Sequence, residues 1–228
     1  MKLRLSSLLL TFAATIGLSG AANASVVLTF EGVGGNASIN DFYNGGTDSA
    51  GHSGTNYGIN FSPASLGLIE AGAGGGGIFA NEPSKVTIAY FLTGSAATMN
   101  VAAGFDTGFS FFYTASLNSF VNVYSGLNGT GTVLATLNLG TNWHNSNCGS
   151  QDSFCHWDPV GVTFAGTAKS VDFGGVANQA GFDNITLGAA VPGGVPEPAT
   201  WAMMLLGVGM VGFAMRQRFK VRTNFTFA

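Results

Sequence analysis

Basic side chains are nearly absent from the middle of this 228-residue sequence. Between residues 25 and 190 the only basic residues are Lys85 and Lys169, whereas ten residues are acidic, so this part has a net charge of −8 although the whole chain has −3. Nucleic-acid binding depends on Lys and Arg that neutralise phosphates, so this balance argues against a nucleic-acid partner. Divalent cations and neutral glycans remain as ligand classes. A simpler alternative is that the acidity only keeps the protein soluble.

Recognisable catalytic motifs are lacking as well. The nucleophile motif Gly-x-Ser-x-Gly is absent, and the three histidines, His52, His144 and His156, all lie in segments predicted as loops. Glycosidases use two carboxylates that face each other across a groove, but nothing among the acidic residues singles out such a pair. We therefore interpret the chain as non-catalytic, with a secreted glycan hydrolase as the alternative.

The first 24 residues have the features of a secretory signal peptide. Lys2 and Arg4 form a positively charged start, and residues 8–18 are an apolar run. The triplet Ala-Asn-Ala that ends at Ala24 is a small-x-small cleavage site. We predict that signal peptidase cleaves after Ala24, so that the exported chain begins at Ser25.

The other end of the chain carries a second apolar segment. Residues 199–215 contain no charged side chain, and about 17 residues is the lower limit for a helix that spans a bilayer core. A basic cluster follows in residues 216–222 and includes Arg216 and Arg218. Such clusters stay on the cytoplasmic side. This order predicts a single C-terminal transmembrane helix that anchors the chain in the inner membrane, followed by a tail, residues 223–228, without an assigned function.

A short motif precedes this apolar segment. Pro196, Glu197 and Pro198 are followed by Trp201, then by the apolar run and the arginines. This three-part order, over residues 196–222, resembles the PEP-CTERM sorting signal. The resemblance implies recognition by an exosortase, a membrane protease-transpeptidase of Gram-negative bacteria that also make exopolysaccharide. It further implies an inner membrane-anchored intermediate that later reaches the outer surface or the extracellular matrix.

The body between the two ends, residues 25–190, is rich in Gly, Asn, Ser, Thr and Phe, which suits strands joined by turns. About ten short strand patterns, a brief one at residues 39–43 among them, and no convincing helix are present. The clearest hairpin joins residues 120–124 and 132–139. We predict an all-β domain, an antiparallel two-sheet sandwich of jelly-roll type. A linker rich in Pro and Gly, residues 191–195, separates it from the sorting signal.

Two cysteines, Cys148 and Cys155, lie close together in a polar segment. In an exported protein they should form a disulfide, and only one intramolecular pairing exists. The closed loop is short, so the bond would fix a local loop more than the whole fold. His144 and His156 flank the pair, so a zinc site is the alternative.

Two tryptophans, Trp143 and Trp157, bracket the cysteines. An indole face held on a fixed loop can stack on a sugar ring, which makes both residues candidate glycan-binding side chains. The alternative is that both indoles cover the edge of the sandwich.

A calcium site is the remaining candidate. Glu31 ends the first predicted strand and Asp183 begins the last. Jelly-roll sandwiches that resemble carbohydrate-binding modules often hold a structural Ca²⁺ where these strands meet, and this resemblance makes both acids candidate ligands. Calcium takes about six to eight oxygen ligands, so backbone carbonyls and water would complete the site. The alternative is that both acids cap turns.

Together these features favour an exported, non-catalytic protein of the envelope or extracellular matrix, sorted by an exosortase. We expect it to associate with exopolysaccharide or to bind glycans weakly. A secreted glycan hydrolase and a membrane-tethered surface protein without a ligand are the alternatives.

Overall fold

The computed structural model describes residues 25–144, 148, 153–193, 204, 206–210 and 212. The predicted signal peptide, the Pro-Glu-Pro motif with Trp201, and the basic cluster lie outside the described residues, as does most of the predicted transmembrane helix. Within that predicted helix, Met204, residues 206–210 and Gly212 are helical. Over the described positions, the chain has no helix of the length and hydropathy needed to cross a bilayer.

The described residues of the body form eleven strands, with one short 3-10 turn at Ala71–Ala73. The strands are β1 (Val26–Leu28), β2 (Ile59–Phe61), β3 (Ser65–Ile69), β4 (Thr87–Phe91), β5 (Ala96–Phe105), β6 (Gly108–Ala115), β7 (Ser119–Tyr124), β8 (Val133–Leu139), β9 (Asp158–Thr163), β10 (Ala168–Gly174) and β11 (Ala180–Leu187).

These strands make two antiparallel sheets. The first sheet has the order β3-β4-β11-β6-β9, with β1 paired to the end of β11, and the second has the order β2-β5-β10-β7-β8. Consecutive strands such as β5 and β6 lie in different sheets, so the chain passes repeatedly between the two layers. The predicted all-β fold with two antiparallel sheets is confirmed.

Phenylalanine fills much of the space between the sheets. Side chains alternate along a strand, so Phe109 and Phe111 of β6 enter the core while Thr114 lies on the other face. Phe173 of β10 and Phe182 of β11 have ring centroids 4.8 Å apart and join the two layers. Burial of these rings and their edge-on contacts stabilises the sandwich.

The predicted hairpin is confirmed as β7 and β8, which pair from Ser119 with Leu139 to Tyr124 with Val133. Its turn uses Asn128 with a φ of 56° and Gly129 with a φ of 65°, a left-handed conformation that Asn and Gly adopt most readily.

Candidate functional site

One candidate site is a cleft on the outward face of the first sheet, the face directed away from the core. Its floor follows a row of paired residues, because Gly181 of β11 pairs with Tyr90 of β4 and with Thr114 of β6. A Cβ added at Gly181 would lie 2.8 Å from Ile88 Cδ1 and 3.4 Å from the Trp157 ring. Because Gly181 has no side chain, the neighbouring side chains pack closely against the backbone of β11, which forms part of the floor.

The cleft has a volume of ≈ 310 Å³. Its walls combine apolar side chains with two exposed amides, and the residues are Leu68, Ile78, Phe79, Leu92, Phe154, Asn36 and Asn178. None of the described residues that line it is acidic or basic. This lining suits an uncharged ligand with both apolar and polar groups.

Two loops are joined to form one wall. The β3–β4 loop, residues 70–86, and the cysteine loop, residues 140–157, meet in a parallel bridge between Phe79 and Phe154. The backbone N–H of Phe154 donates to the Ile78 carbonyl at 3.1 Å, and the N–H of Ala80 donates to the Phe154 carbonyl at 3.0 Å. The cysteine loop is therefore a structural part of the cleft.

Two residues of the floor, Tyr90 and Thr114, carry a hydroxyl group. The Tyr90 hydroxyl donates to Asn36 Oδ1 at 2.5 Å, and burial raises the pKa of Tyr90. The side chain of Thr114 is 1% exposed, and its Oγ1 has no hydrogen-bond partner among the described residues. A buried hydroxyl without a partner is uncommon, because its lost hydration is not replaced.

No motif in the sequence indicates this cleft. Its floor joins Tyr90, Thr114 and Gly181, which are far apart in sequence and meet only through the order of the strands. The available signal was a glycine inside a strand pattern, since an internal strand glycine often marks the close approach of another group.

The two candidate indoles support the cleft wall from different sides. Trp143 is 38% exposed, and its ring lies 5.9 Å from that of Phe154. Trp157 contacts Phe79 edge-on at 6.4 Å, and its Nε1–H donates to the Ala80 carbonyl at 3.0 Å. Trp157 thus packs as a structural side chain, whereas Trp143 keeps part of its ring at the surface.

The predicted disulfide between Cys148 and Cys155 is confirmed, with Cα atoms 5.4 Å apart. His144 Nδ1 lies 3.1 Å from Cys148 Sγ, so these three side chains are close enough to share a metal ion. Cysteine binds zinc as a thiolate, however, and these two sulfurs are bonded to each other. His156 Nε2 pairs instead with Asp158 Oδ1 at 3.1 Å. The geometry therefore favours the disulfide over zinc.

Glu31 and Asp183 both bind the segment that leads into β4. Glu31 Oε1 accepts the backbone N–H groups of Val86 and Thr87, each at 3.0 Å. Asp183 is fully buried, and it accepts the Ser84 N–H and the Ser84 hydroxyl, each at 2.7 Å. These contacts resemble caps more than an open cation site, and Ca²⁺ binding by the pair stays a prediction.

More carboxylates surround this pair. Burial raises the pKa of Asp183 to about 6, and the negative charge of Glu31 adds to the rise. The hydrogen bonds from Ser84 act in the opposite direction and lower the pKa. Burial also raises the pKa of Glu82 to about 7, and the nearby charge of Glu70 adds to it. The sequence analysis missed Glu70 and Glu82 as neighbours of the predicted pair.

Asp48 and His52 form a pair that resembles part of a catalytic triad. The Asp48 carboxylate accepts the N–H groups of Gly34 and Ala50, each at 2.8 Å, and His52 Nδ1 lies 3.0 Å from its Oδ2. Burial would raise the pKa of Asp48, but the hydrogen bonds from Gly34, His52 and Ala50 outweigh it and lower the pKa. No hydroxyl or thiol in the described part of the chain bonds to His52, so the pair holds its loop.

Comparison with known families shows that the chain carries a PEP-CTERM protein-sorting motif at residues 194–218. The resemblance drawn from the sequence is therefore confirmed. The motif implies processing by an exosortase and export to the cell envelope or surface of a Gram-negative bacterium. Comparison with curated proteins gives no significant match.

Three solved structures are similar in fold. A family 6 carbohydrate-binding module is 19% identical over 57% of this chain and 84% of its own, with a TM-score of 0.35. The K2 cleaved adhesin domain of Lys-gingipain is 10% identical over 72% of this chain and 99% of its own, with a TM-score of 0.44. TmCBM61, in complex with beta-1,4-galactotriose, is 12% identical over 57% of this chain and 88% of its own, with a TM-score of 0.34. At these TM-scores the likeness does not extend to a shared site.

Proposed function

We propose that this protein is a non-catalytic component of the outer surface or extracellular matrix that binds neutral glycan weakly. The observation that carries the proposal is the sorting motif at residues 194–218. Signal peptidase releases the chain at Ser25, and the apolar segment 199–215 holds it in the inner membrane as a helix. An exosortase then recognises Pro196 to Pro198 and removes the tail, which leaves a sandwich of jelly-roll type among exopolysaccharide.

The described side chains support a role without catalysis. His52 hydrogen-bonds to Asp48, and no described nucleophile lies on its other nitrogen. Asp183, the most buried carboxylate, is held by Ser84 and Asn184 through three hydrogen bonds. A glycosidase acid must reach the glycosidic oxygen, and Asp183 lies beneath the surface.

The surface chemistry supports a neutral glycan as the ligand. With only Lys85 and Lys169 as basic residues in the body, an acidic polysaccharide would meet repulsion rather than attraction. Trp143 keeps part of its indole exposed beside the Cys148–Cys155 disulfide, which limits the motion of its loop. Such an aromatic face can stack on the apolar face of a sugar ring.

A secreted glycan hydrolase is the second candidate. The observation in its favour is Glu82, whose pKa is raised to about 7 by burial and by the charges of Glu70, Asp183 and Glu31. A general acid in a glycosidase has its pKa raised in the same direction. A membrane-tethered surface protein without a ligand is the third possibility.

Affinity gels and a turnover assay on the same neutral polysaccharides separate these functions. We expect retarded migration of the exported protein without release of reducing sugar, and we expect Trp143→Ala to reduce the retardation while the fold is kept. Turnover that Glu82→Gln abolishes would establish the hydrolase instead. Neither retardation nor turnover on any polysaccharide would leave a surface protein without a glycan ligand.

A further inference from the structure

We infer that the cleft on the outward face of the first sheet binds one or two rings of a neutral saccharide, with the Thr114 hydroxyl bonding to a sugar hydroxyl. This inference rests on the proposed glycan binding and assigns its site. The cleft adjoins Trp143, the contact that the sequence offered, because the Trp143 ring lies 5.9 Å from the ring of Phe154 in the cleft wall.

The unpaired hydroxyl of Thr114 is the first observation that points to a ligand. Thr114 lines the cleft, and its Oγ1 is buried and has no hydrogen-bond partner among the described residues. An unpaired buried hydroxyl destabilises a fold, whereas valine would fill the same space without that cost. Rotation of Thr114 about its Cα–Cβ bond would turn the hydroxyl toward the cleft, where a ligand hydroxyl would supply the missing partner. By contrast, Thr186 of β11 is also fully buried, but its Oγ1 donates to the Asn184 carbonyl at 3.0 Å.

The shape and lining set the ligand class. A volume of ≈ 310 Å³ is at the lower end of small-molecule sites, which suits one or two sugar rings rather than a long chain. Ile78 and Leu92 border the cleft and are 52% and 43% exposed, so two large apolar side chains are left for a ligand to cover. The apolar face of a sugar ring matches such side chains.

Polar groups around the cleft are uncharged. Asn36 and Asn178 come from two separate loops, and the Tyr90 hydroxyl fixes the orientation of Asn36 by donating to its Oδ1. Amides and hydroxyls both donate and accept, as sugar hydroxyls do. An alkyl chain would leave Thr114 unpaired, and an anion would find no described basic side chain in the lining. A neutral saccharide satisfies both the apolar and the polar parts.

The test compares Thr114→Val with Thr186→Val in the ¹⁵N-labelled exported protein. Cellobiose, lactose and maltose are titrated at millimolar concentration, with digalacturonate as the anionic control, and amide shifts are followed by NMR. We expect a neutral disaccharide to shift the amides of Thr114, Phe154 and Gly181, and digalacturonate to leave them unchanged.

The two variants should then behave in opposite ways. Thr114→Val should raise the melting temperature, because it removes an unpaired hydroxyl, and should weaken disaccharide binding about two- to tenfold, the effect of one lost hydrogen bond. Thr186→Val should lower the melting temperature and keep the dissociation constant, measured below its own transition.

Two results overturn the inference alone. These are retention on affinity gels with amide shifts that avoid the cleft, and disaccharide binding that Thr114→Val leaves unchanged. A lower melting temperature for Thr114→Val would also contradict it, since the hydroxyl would then have a partner in the free protein. Absence of both gel retention and amide shifts would reject the glycan part of the proposed function together with its site.

Discussion

The fully buried carboxyl of Asp183 should make the body less stable at neutral than at mildly acidic pH. Burial raises its pKa from 3.8 to about 6 in the folded state. A raised folded-state pKa means that the stabilisation is complete below about pH 3.8 and is lost as the pH rises through about 6. The total change is about 3 kcal/mol, of which about 2 kcal/mol falls between about pH 4.5 and 7.

Other acids set the limits of this window. Glu82 shifts in the same direction, with its pKa raised to about 7, so it extends the loss of stability toward neutral pH. Asp48 acts in the opposite direction, because its lowered pKa gives stability that disappears as the pH falls below its usual range. The free energy of unfolding should therefore peak near about pH 4 to 5.

Denaturant unfolding at several pH values measures this effect, with EDTA present so that no cation binds. The wild type should lose stability between about pH 4.5 and 7, and Asp183→Asn should flatten most of that change, because the amide does not ionise. Glu82→Gln is the matched variant, and it should flatten only the part near neutral pH. A wild-type profile that rises over this window, or one that Asp183→Asn leaves unaltered, would refute the reasoning.

Three further predictions concern the metal, the indole and the disulfide. If Glu31 and Asp183 hold a structural Ca²⁺, EDTA should lower the melting temperature at neutral pH, and an unchanged value would end that idea. Trp157→Phe should lower the free energy of unfolding by about 1 kcal/mol, because it removes the part-buried hydrogen bond from the indole N–H to a backbone carbonyl, whereas thermal unfolding at the wild-type temperature would show that this bond contributes nothing. Alkylation of the native exported protein without reductant should label neither Cys148 nor Cys155, and stoichiometric labelling of both would contradict the disulfide.

Local patterns in the sequence predicted the elements whose signals are local. The hairpin of β7 and β8 carries alternating side chains and an Asn-Gly turn, and the structure confirms it. The resemblance to carbohydrate-binding modules implied that the first and last strands meet, and β1 does pair with β11 from Val26 with Leu187 to Leu28 with Ile185. The hairpin could be predicted because its signals lie within a few residues. The pairing of β1 with β11 follows instead from the closure of a sandwich.

Apolar residues outside strands misled the sequence analysis. Residues 39–43 were predicted as a short strand, but they form turns in which Ile39, Phe42 and Tyr43 are buried. The Tyr43 hydroxyl accepts the N–H of Phe30 at 2.8 Å, which holds this loop against the core. A loop that packs against the core has apolar side chains at a spacing like that of a strand. The sequence pattern alone therefore does not distinguish a buried loop from a strand.

A glycine concealed one strand from the sequence analysis. Residues 65–69, which include Gly67, were not predicted as a strand, yet they form β3, and a Cβ at Gly67 would lie 2.6 Å from Val33 Cγ1. The glycine is there because another chain segment packs against the strand, and only the tertiary structure shows that contact. The cleft was missed for the same reason, since its floor depends on which strands become neighbours.

Intact-mass measurement of the released protein shows whether an exosortase processes this chain. In cells with a working exosortase, the account predicts a mature chain that begins at Ser25 and lacks the segment from near Pro196 onward. In cells without the exosortase, the account predicts a membrane-bound form that retains the apolar segment and the arginines. Released protein that contains peptides from residues 203–216, with an unchanged mass in the two strains, would contradict exosortase sorting.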